Sequence, residues 1–213
     1  PYMTLFGSDA ADGNNGIING ATWTTGKIGG ALSLDGIDDN VQIPGLLVQP
    51  QNITISAWAN LRDKDTSGAE VISLGDHVAI RLDGAGGNGA RGYYYDGTTW
   101  RGTATGLSYA GTGWHHFVYV IDDANNIQKV YIDGVEKGST AYTQPISYTG
   151  MGSNTFIGRH GNGSGNYDFN GLIDDVCVYN RALSAQEVLD LYNQLSCLVS
   201  HWKFDEGSGT NAT

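Results

Sequence analysis

The sequence predicts an all-β fold of two stacked antiparallel sheets, with one short helix near the C-terminus. Short segments rich in β-branched, aromatic and other apolar residues recur from residue 30 to residue 180, separated by Gly, Asp and Asn. The 32 glycines among 213 residues follow no three-residue period, which indicates tight turns rather than a collagen-like repeat. With 40% hydrophobic and 15% charged residues, the composition is that of a folded domain with a core.

Ten segments have the length and composition of strands. They are Ala31–Leu34, Asn40–Ile43, Ile53–Asn60, Glu70–Leu74, Val78–Leu82, Gly92–Tyr95, His115–Ile121, Gln128–Ile132, Thr155–Ile157 and Leu172–Tyr179. Three Asp-Gly pairs follow such segments, at Asp83-Gly84, Asp96-Gly97 and Asp133-Gly134. Because this dipeptide tolerates positive φ at both positions, each pair predicts a two-residue hairpin turn.

One segment near the C-terminus has helical periodicity. Ser184 followed by Glu187 forms a capping-box pattern. An apolar stripe follows at helical spacing, formed by Val188, Leu191, Tyr192 and Leu195. The pattern predicts an amphipathic helix over about residues 185–195 that packs on the sandwich.

The charge of the chain excludes some classes of partner. The formal net charge is −11, from 22 acidic and 11 basic residues, so a nucleic-acid backbone would be repelled. No apolar run reaches the ~20 residues of a membrane helix, so we expect no membrane insertion. No signal peptide begins the chain, which indicates a mature or excised fragment.

A long block near the C-terminus resembles a known family. Residues Gly171–Val188 are similar to the closing strand and helix of bacterial laminin-G-like domains of the concanavalin A-like lectin/glucanase type. Three further blocks agree in order: Gly29–Val41, Ile53–Ala59, and Trp114–Phe117 with Val130–Val135. The resemblance covers about residues 12–195 and implies a single jelly-roll domain.

The resemblance predicts a domain over residues 1–197, followed by a segment at 198–213 that belongs either to this domain or to a second one. His201–Thr210 resembles the strand that usually opens the family. Two alternatives stay open. This strand either begins a second tandem repeat or completes this sandwich, within the chain or in a neighbouring molecule, which would allow self-association through the terminal strand.

The sequence lacks the carboxylate pair of the related glucanases. Those enzymes carry a Glu-x-Asp-x-x-Glu strand, which places a nucleophile and an acid/base on one face. No Glu in this chain has an Asp two residues later, and the motifs of serine, cysteine and zinc hydrolases are absent as well. We therefore expect the chain not to be an enzyme.

The acidic residues predict a structural Ca²⁺ site. Asp174 and Asp175 are adjacent on a strand, so one carboxylate should face inward and need a partner. Oxygen ligands from the opening loop, Asp9, Asp12 and Asn14, would complete the shell. The alternative is that Asp174 and Asp175 accept hydrogen bonds from backbone amides. A second cluster, Asp35, Asp38 and Asp39, is better explained as a turn.

Aromatic and polar residues gather around the Asp96-Gly97 turn. Three consecutive tyrosines on one strand cannot all be buried on one face, and arginines such as Arg91 offer forked donors to sugar hydroxyls. A polar loop at residues 159–168 precedes the closing strand, where a binding loop would be useful. The predicted ligand-binding residues are Asp76, His77, Arg81, Tyr93, Tyr95, Trp100, Arg101, His160 and Asn166. We interpret Trp23, Trp58 and Trp114 as core.

The chain has two cysteines, Cys177 and Cys197. Cys177 occupies an outward-facing position in the family pattern and is not expected in the core. Cys197 follows the helix, so a disulfide between the two cysteines is a plausible pairing, with two free thiols as the alternative.

The family resemblance and the absence of catalytic pairs predict a carbohydrate-binding module. We expect its partner to be a polysaccharide or glycan, and its setting to be a secreted or cell-surface bacterial protein that contains a polysaccharide-acting enzyme. The alternative is a structural or adhesive repeat that binds a protein or another copy of itself.

Overall fold

The computed structural model describes residues 16–47, 49–63, 67–84 and 88–193, together with the backbone of residues 201–202. All 15 strands and the single helix that follow belong to this part of the chain. In the same ranges, no helix has the length and apolar character that crossing a membrane requires.

The strands form two antiparallel sheets that pack face to face, as the sequence predicts. The first sheet has the order β1-β4-β13-β6-β7-β8-β9. Its strands are β1 (Ile17–Asn19), β4 (Asn40–Pro44), β6 (Ala69–Leu74), β7 (Val78–Gly84), β8 (Gly89–Tyr95), β9 (Trp100–Ala104) and β13 (Asn154–Ile157).

The second sheet has the order β12-β11-β10-β5-β14-β3-β2. Its strands are β2 (Thr22–Thr25), β3 (Gly30–Asp35), β5 (Ile53–Leu61), β10 (His115–Asp122), β11 (Ile127–Ile132), β12 (Val135–Ala141) and β14 (Asn170–Tyr179). The short strand β15 (His201–Trp202) pairs with β14 opposite Val176 and Cys177. Whether residues 198–213 also begin another repeat stays a prediction.

All ten predicted strands are confirmed, and β15 lies in the segment that resembles the family's opening strand. The other four strands in the described residues are β1, β2, β9 and β12. These four lie at the ends of the two sheets, and most of their side chains are exposed or half-buried. Edge strands pair on one side only and need no apolar run, so the hydrophobic pattern did not reveal them.

The core lies between the two sheets. It is built from alternate residues of the central strands, among them Ile55, Ala57, Ile80, Tyr94 and Phe117. Tyr119 of β10 is completely buried, and its hydroxyl donates to Gln128 at 2.6 Å. The Tyr119 ring packs on Gly92 of the opposite sheet, where a Cβ atom would lie 2.1 Å from the ring. Gly92 therefore sets how closely the sheets approach here.

Only one of the three Asp-Gly pairs forms the predicted turn. Asp133 and Gly134 have φ values of 52° and 76° and connect Ile132 to Val135, as a two-residue hairpin requires. The other two predictions were wrong. Asp83 and Gly84 lie within β7 and Gly84 pairs with Gly89, so the turn is longer.

The Asp96-Gly97 pair belongs to a four-residue turn between Tyr95 and Trp100. The Asp96 carboxylate accepts hydrogen bonds from the backbone amides of Thr98 and Thr99, both at 2.8 Å. These hydrogen bonds lower the pKa of Asp96 well below its usual range. Side-chain capping of the turn, rather than positive φ at two residues, decides its length.

Helix α1 (Ala185–Tyr192) begins with the predicted capping box between Ser184 and Glu187. It ends with a C-cap at Asn193, earlier than predicted, and Leu195 lies outside the described residues. Val188 is buried against the outer face of the second sheet, the face turned away from the first sheet. The helix thereby covers a second apolar cluster, formed by Val118, Val120, Tyr131, Cys177, Tyr179, Leu183 and Val188.

Cys177 belongs to this second cluster and is 1% exposed, so the expectation that it lies outside any core was wrong. Its side chain does leave the sandwich interior, but helix α1 covers that face. The described residues contain no free cysteine, and Cys177 is disulfide-bonded. Cys197, its predicted partner, lies outside the described residues.

The three tryptophans assigned to the core differ from one another. Trp23 is half-buried and packs against the main core, and Trp114 is half-buried. Trp58 is 3% exposed, but its ring forms a three-membered aromatic cluster with His116 and Tyr192, whose centroids lie 5.2 and 5.6 Å from that of Trp58. Trp58 therefore lies on the outer face of the second sheet and not between the sheets.

The close contact at Gly92 predicts that a single methyl group added at this position destabilises the fold. Gly92→Ala should lower the free energy of unfolding by about 1–3 kcal/mol, because the methyl group would overlap the Tyr119 ring. Urea denaturation measures the change. Gly84→Ala is the matched control, since its Cβ would meet its nearest neighbours at 3.8–4.0 Å. Equal effects of the two substitutions would contradict this account of the core.

Candidate functional site

A polar cleft lies on the outer face of the first sheet. Strand register places Glu70 of β6 opposite Arg81 of β7, and Arg81 opposite Arg91 of β8. Tyr93 lies on the same face, two residues beyond Arg91. The loop at residues 158–169 crosses this face, and Tyr167 accepts a backbone hydrogen bond from Glu70 at 2.8 Å.

The cleft has a volume of about 400 Å³ and is open to solvent. It is lined by side chains of β7, β8 and β9, of the turn between β6 and β7, and of two later loops. These residues are Asp76, Arg81, Arg91, Tyr93, Trp100, Met151, His160, Asn162 and Tyr167.

A hydrogen-bond network forms the floor of the cleft. Arg81 Nε donates to Glu70 Oε1 at 3.0 Å, and Arg81 Nη2 donates to the Tyr93 hydroxyl at 2.8 Å. The Tyr93 hydroxyl also contacts Glu70 Oε1, and Asp76 Oδ1 lies 2.8 Å from it. Because a hydroxyl carries one proton, it donates to only one of these carboxylates at a time.

Burial dominates the electrostatics of this floor. Burial raises the pKa of Glu70, which is fully enclosed, although the positive charge of Arg81 opposes the shift. Burial also raises the pKa of Tyr93 well above its usual range, and the Glu70 charge adds to this effect. Tyr93 therefore stays a neutral hydroxyl, and Glu70 depends on Arg81 to remain charged.

Two aromatic rings hold Arg81 in place. Its guanidinium lies 4.6 Å from the centroid of the Tyr93 ring and 3.6 Å from that of Tyr167. Contacts of this kind are attractive and restrict the rotamers of the arginine. The guanidinium is thus held in one place before any ligand arrives.

The covering loop fits the turn between β6 and β7 closely. His160 Nε2 lies 3.6 Å from Asp76 Oδ2, and the His160 ring stacks on Tyr167 with centroids 4.9 Å apart. A Cβ on Gly161 would lie only 1.9 Å from the backbone nitrogen of Asp76. Glycine at position 161 is therefore what lets the loop close over this turn.

Trp100 forms the exposed rim of the cleft. Its side chain is 51% exposed, and its ring packs against Tyr95 with centroids 5.0 Å apart. Tyr95 in turn donates its hydroxyl hydrogen to the Gly97 carbonyl at 2.9 Å. A flat apolar surface thus lies beside the fixed donors and acceptors of the floor.

The structure brings together five of the nine predicted ligand-binding residues in the cleft lining: Asp76, Arg81, Tyr93, Trp100 and His160. Tyr95 is not a lining residue, but its ring contacts that of Trp100. Asn166 is exposed on the covering loop and is not one of the lining residues.

The remaining two predicted residues are engaged elsewhere. His77 is 1% exposed, and its ring nitrogens lie 2.6 Å from the Ser147 carbonyl and 3.2 Å from the Gly152 carbonyl. Arg101 is the register partner of Tyr94, so it leaves β9 on the face opposite Trp100. There it forms an ion pair with Asp96 at 2.5 Å.

The sequence did not predict Met151, Asn162 and Tyr167 of the cleft lining, or Glu70 of the floor. It identified Arg91 as a possible hydrogen-bond donor but not as one of the predicted ligand-binding residues. The register between β6 and β7, which pairs Glu70 with Arg81, carries no motif in the sequence. Tyr167 could have been found from the sequence only through its position in the polar loop at residues 159–168.

Glu70, Asp76 and His160 lie close enough together to hold a metal ion. Their other contacts argue against one. Arg81 places a positive charge directly on Glu70. His160 Nδ1 accepts a hydrogen bond from the Asn162 amide at 3.3 Å, so in the neutral ring Nε2 carries the proton and cannot be a ligand.

The residues predicted to bind Ca²⁺ are only partly described, since Asp9, Asp12 and Asn14 lie outside the described residues. A bulge in β14 gives Asp175 a φ of 52°, so strict alternation does not apply here. Asp174 is fully buried on the outer face, where Oδ2 accepts a hydrogen bond from Ile28 at 2.9 Å.

The other oxygen of Asp174, Oδ1, has no hydrogen-bond partner among the described residues. Burial raises the pKa of Asp174 to about 7, against the lowering effect of the Ile28 hydrogen bond. A buried carboxylate with a free oxygen is the chemistry that a cation would satisfy, so this residue fits the predicted site.

The second acidic cluster has the contacts of a turn. Asp35 Oδ1 accepts from the Ile37 amide at 2.8 Å, and Asp39 Oδ2 accepts from the Asp35 amide at 2.9 Å. Carboxylate oxygens that already bind backbone amides are less available to a cation.

Comparison with known proteins gives one family. The model of the concanavalin A-like lectin/glucanases superfamily, Laminin_G_3, matches residues 35–189. No curated protein matches the chain significantly.

Solved structures with the same fold include domain 4 of AbnA, a GH43 extracellular arabinanase from Geobacillus stearothermophilus, in complex with arabinotriose. It is 26% identical, covers 82% of each chain and superposes with a TM-score of 0.65. The binding domains of Paraclostridial Mosquitocidal Protein 1 and of botulinum neurotoxin serotype G are 18% and 15% identical, with TM-scores of 0.62 and 0.64. These matches cover 85% and 90% of this chain, which spans about half of each toxin domain (48% and 50%).

The buried ion pair predicts that removing one charge lowers the free energy of unfolding more than removing both charges. Arg81→Met should lower the free energy of unfolding by about 3–5 kcal/mol, because it leaves the buried Glu70 without a counter-charge. Adding Glu70→Gln to Arg81→Met should recover part of that loss. Denaturation in urea provides both values.

Arg101→Met is the control for this comparison. It removes the ion pair with Asp96, whose arginine side chain is 37% exposed, and should destabilise the fold much less than Arg81→Met does. A double variant no more stable than Arg81→Met would mean that the Glu70 charge is not what destabilises the single variant.

Proposed function

The chain belongs to the concanavalin A-like lectin/glucanase superfamily, and from this premise we propose that it is a non-catalytic carbohydrate-binding module. The observation that carries the proposal is the cleft itself. An exposed tryptophan stands beside rigidly held polar groups, on a fold that domain 4 of AbnA uses with arabinotriose bound.

The rim and the floor of the cleft suit the two chemical faces of a sugar. The exposed ring of Trp100 offers a flat surface for the apolar C–H face of a pyranose or furanose ring. Asp76, Arg81 and His160 offer acceptors and donors for the hydroxyl groups.

The floor is organised before binding, which supports a recognition site. Arg81 is held by Glu70 and by the rings of Tyr93 and Tyr167, so its rotamer entropy has already been lost on folding. A ligand therefore meets donors in a fixed arrangement, and less of its binding free energy is spent on ordering side chains.

The same floor supports a non-catalytic role. A glycosidase needs two carboxyl groups that flank the bond to be cleaved. In this cleft, Glu70 is 0% exposed and ion-paired with Arg81, while Asp76 is 4% exposed beside the Tyr93 hydroxyl. Glu70 is thus enclosed behind the arginine and cannot approach a glycosidic bond.

The proposed setting is a larger bacterial protein. Domain 4 of AbnA belongs to an extracellular arabinanase. We extend this to the chain and propose a secreted or cell-surface protein in which the module keeps a polysaccharide-acting enzyme near its substrate. Self-association through the terminal strand remains a separate proposal.

We also propose a structural Ca²⁺ ion bound by Asp174, with Asp175 and residues of the opening loop as further ligands. The support is the free Oδ1 atom of a fully buried carboxylate. The ion would supply positive charge that compensates the ionised Asp174.

The role of Trp100 predicts the result of a binding experiment. Trp100→Ala should weaken binding to arabinan, or to another polysaccharide found to bind in a panel, by at least tenfold, which is about 1.4 kcal/mol. Trp100→Phe should lose less, because it keeps a flat ring. Affinity gel electrophoresis followed by titration calorimetry provides the measurement.

Leu107→Ala is the matched control, because Leu107 is an exposed apolar residue outside the cleft lining. It should leave the affinity unchanged. If no polysaccharide of a broad panel binds to the wild-type chain, or if Trp100→Ala binds as well as wild type, the proposed site is wrong.

The calcium proposal predicts a metal-dependent melting temperature. At pH 8, above the pKa of about 7 for Asp174, saturating Ca²⁺ should raise the Tm by about 5 °C or more over the value in chelator. Asp174→Asn should remove the Ca²⁺ effect. It should also leave the Tm in chelator no lower than that of wild type, because it removes an uncompensated buried charge.

Differential scanning calorimetry measures both shifts. Asp123→Asn, a substitution of an exposed aspartate, should keep the full Ca²⁺ effect. A Ca²⁺ shift of the same size in Asp174→Asn, or no shift in wild type, would rule out this site.

A further inference from the structure

Arg91 differs from the other arginine of the cleft in its partners. Arg81 is engaged by Glu70, Tyr93 and Tyr167. Within the described ranges, Arg91 forms no ion pair, and its buried Nε atom has no hydrogen-bond partner. The Arg91 guanidinium lies 5.2 Å from the Tyr93 ring centroid and lines the cleft.

The position of Arg91 is unfavourable without a ligand. Arg81 and Arg91 are direct register partners on neighbouring strands, and like charges in this arrangement repel each other. Burial and the charge of Arg81 both lower the pKa of Arg91. The cleft therefore holds a positive charge that a bound anion would stabilise.

The acidic groups around the cleft do not neutralise Arg91. Glu70 is paired with Arg81, Asp76 Oδ1 lies at the Tyr93 hydroxyl, and Asp76 Oδ2 lies 3.6 Å from His160. Asp168 lies 3.7 Å from Arg159 on the covering loop. These charges are directed at other partners, in a chain whose net charge is −11.

We propose that Arg91 determines ligand specificity and that the cleft binds a carboxylate-bearing sugar, a hexuronic acid residue of an acidic polysaccharide. The inference rests on the proposed carbohydrate-binding function. The planar guanidinium matches a carboxylate with two parallel hydrogen bonds, while the Trp100 ring packs against the sugar. The carboxylate supplies a negative partner for the Arg91 guanidinium, which forms no ion pair with any residue that the structure describes.

The experiment compares sugars that differ only in the acidic group. Titration calorimetry measures the affinity for methyl glucuronide against methyl glucoside, and for methyl galacturonide against methyl galactoside. Polygalacturonate and galactan provide the same comparison between polymers. At least one acidic ligand should bind tenfold or more tightly than its neutral partner, and added salt should reduce that preference.

Two substitutions assign the preference to Arg91. Arg91→Gln should reduce the ratio of acidic to neutral affinity to about one, and Arg91→Lys should leave an intermediate ratio because it keeps the charge but not the fork. Arg62→Gln is the control, since Arg62 is exposed and outside the cleft lining, and it should keep the wild-type ratio. Circular dichroism establishes that each variant is folded.

The outcomes separate this inference from the proposed function. If neutral sugars bind as tightly as their acidic partners, or if Arg91→Gln keeps the acidic preference, the inference is overturned while carbohydrate binding stands. If neither acidic nor neutral ligands bind and other polysaccharides also fail, the proposed function falls and this inference falls with it.

Discussion

The cleft depends on one buried ion pair: on the outer face of the first sheet, Arg81 provides the counter-charge for the fully buried carboxylate of Glu70. The pair is possible because strand register places the two residues opposite each other and because a loop covers them. The rings of Tyr93 and Tyr167 both contact the guanidinium. The floor of the cleft therefore has one arrangement, and the rim residues are positioned with respect to it.

The loop at residues 158–169 connects the fold to the site. Its ends are tied to β6 by backbone hydrogen bonds, from Gly158 to Val71 at 3.0 Å and from Glu70 to Tyr167 at 2.8 Å. Gly161 allows the loop to approach the turn at Asp76 without a steric clash. Most loops of a β-sandwich lie at its ends, whereas this one covers a sheet face. That cover converts a solvent-facing row of polar side chains into an enclosed cleft.

The two outer faces of the sandwich are covered in different ways. The second sheet carries helix α1 and an apolar cluster around Val188, Cys177 and Tyr179, together with the stacked Trp58. The first sheet carries the polar loop and the ion pair. Apolar cover stabilises without selecting a ligand, whereas a satisfied polar network leaves directed donors and acceptors at the surface. This difference explains why the cleft lies on the first sheet.

The sequence by itself determined the fold class, the ten central strands, the capped helix and five of the cleft residues, because these depend on local periodicity, turn chemistry and a family pattern. It did not reveal the exposed edge strands, the lengths of two Asp-Gly turns, or the burial of Cys177 under the helix. Only the tertiary structure paired Glu70 with Arg81, turned Arg101 away from the cleft and left Arg91 Nε without a hydrogen-bond partner among the described residues. Those outcomes depend on strand register and on a loop that crosses from another part of the chain, and neither is encoded by the residues near each side chain.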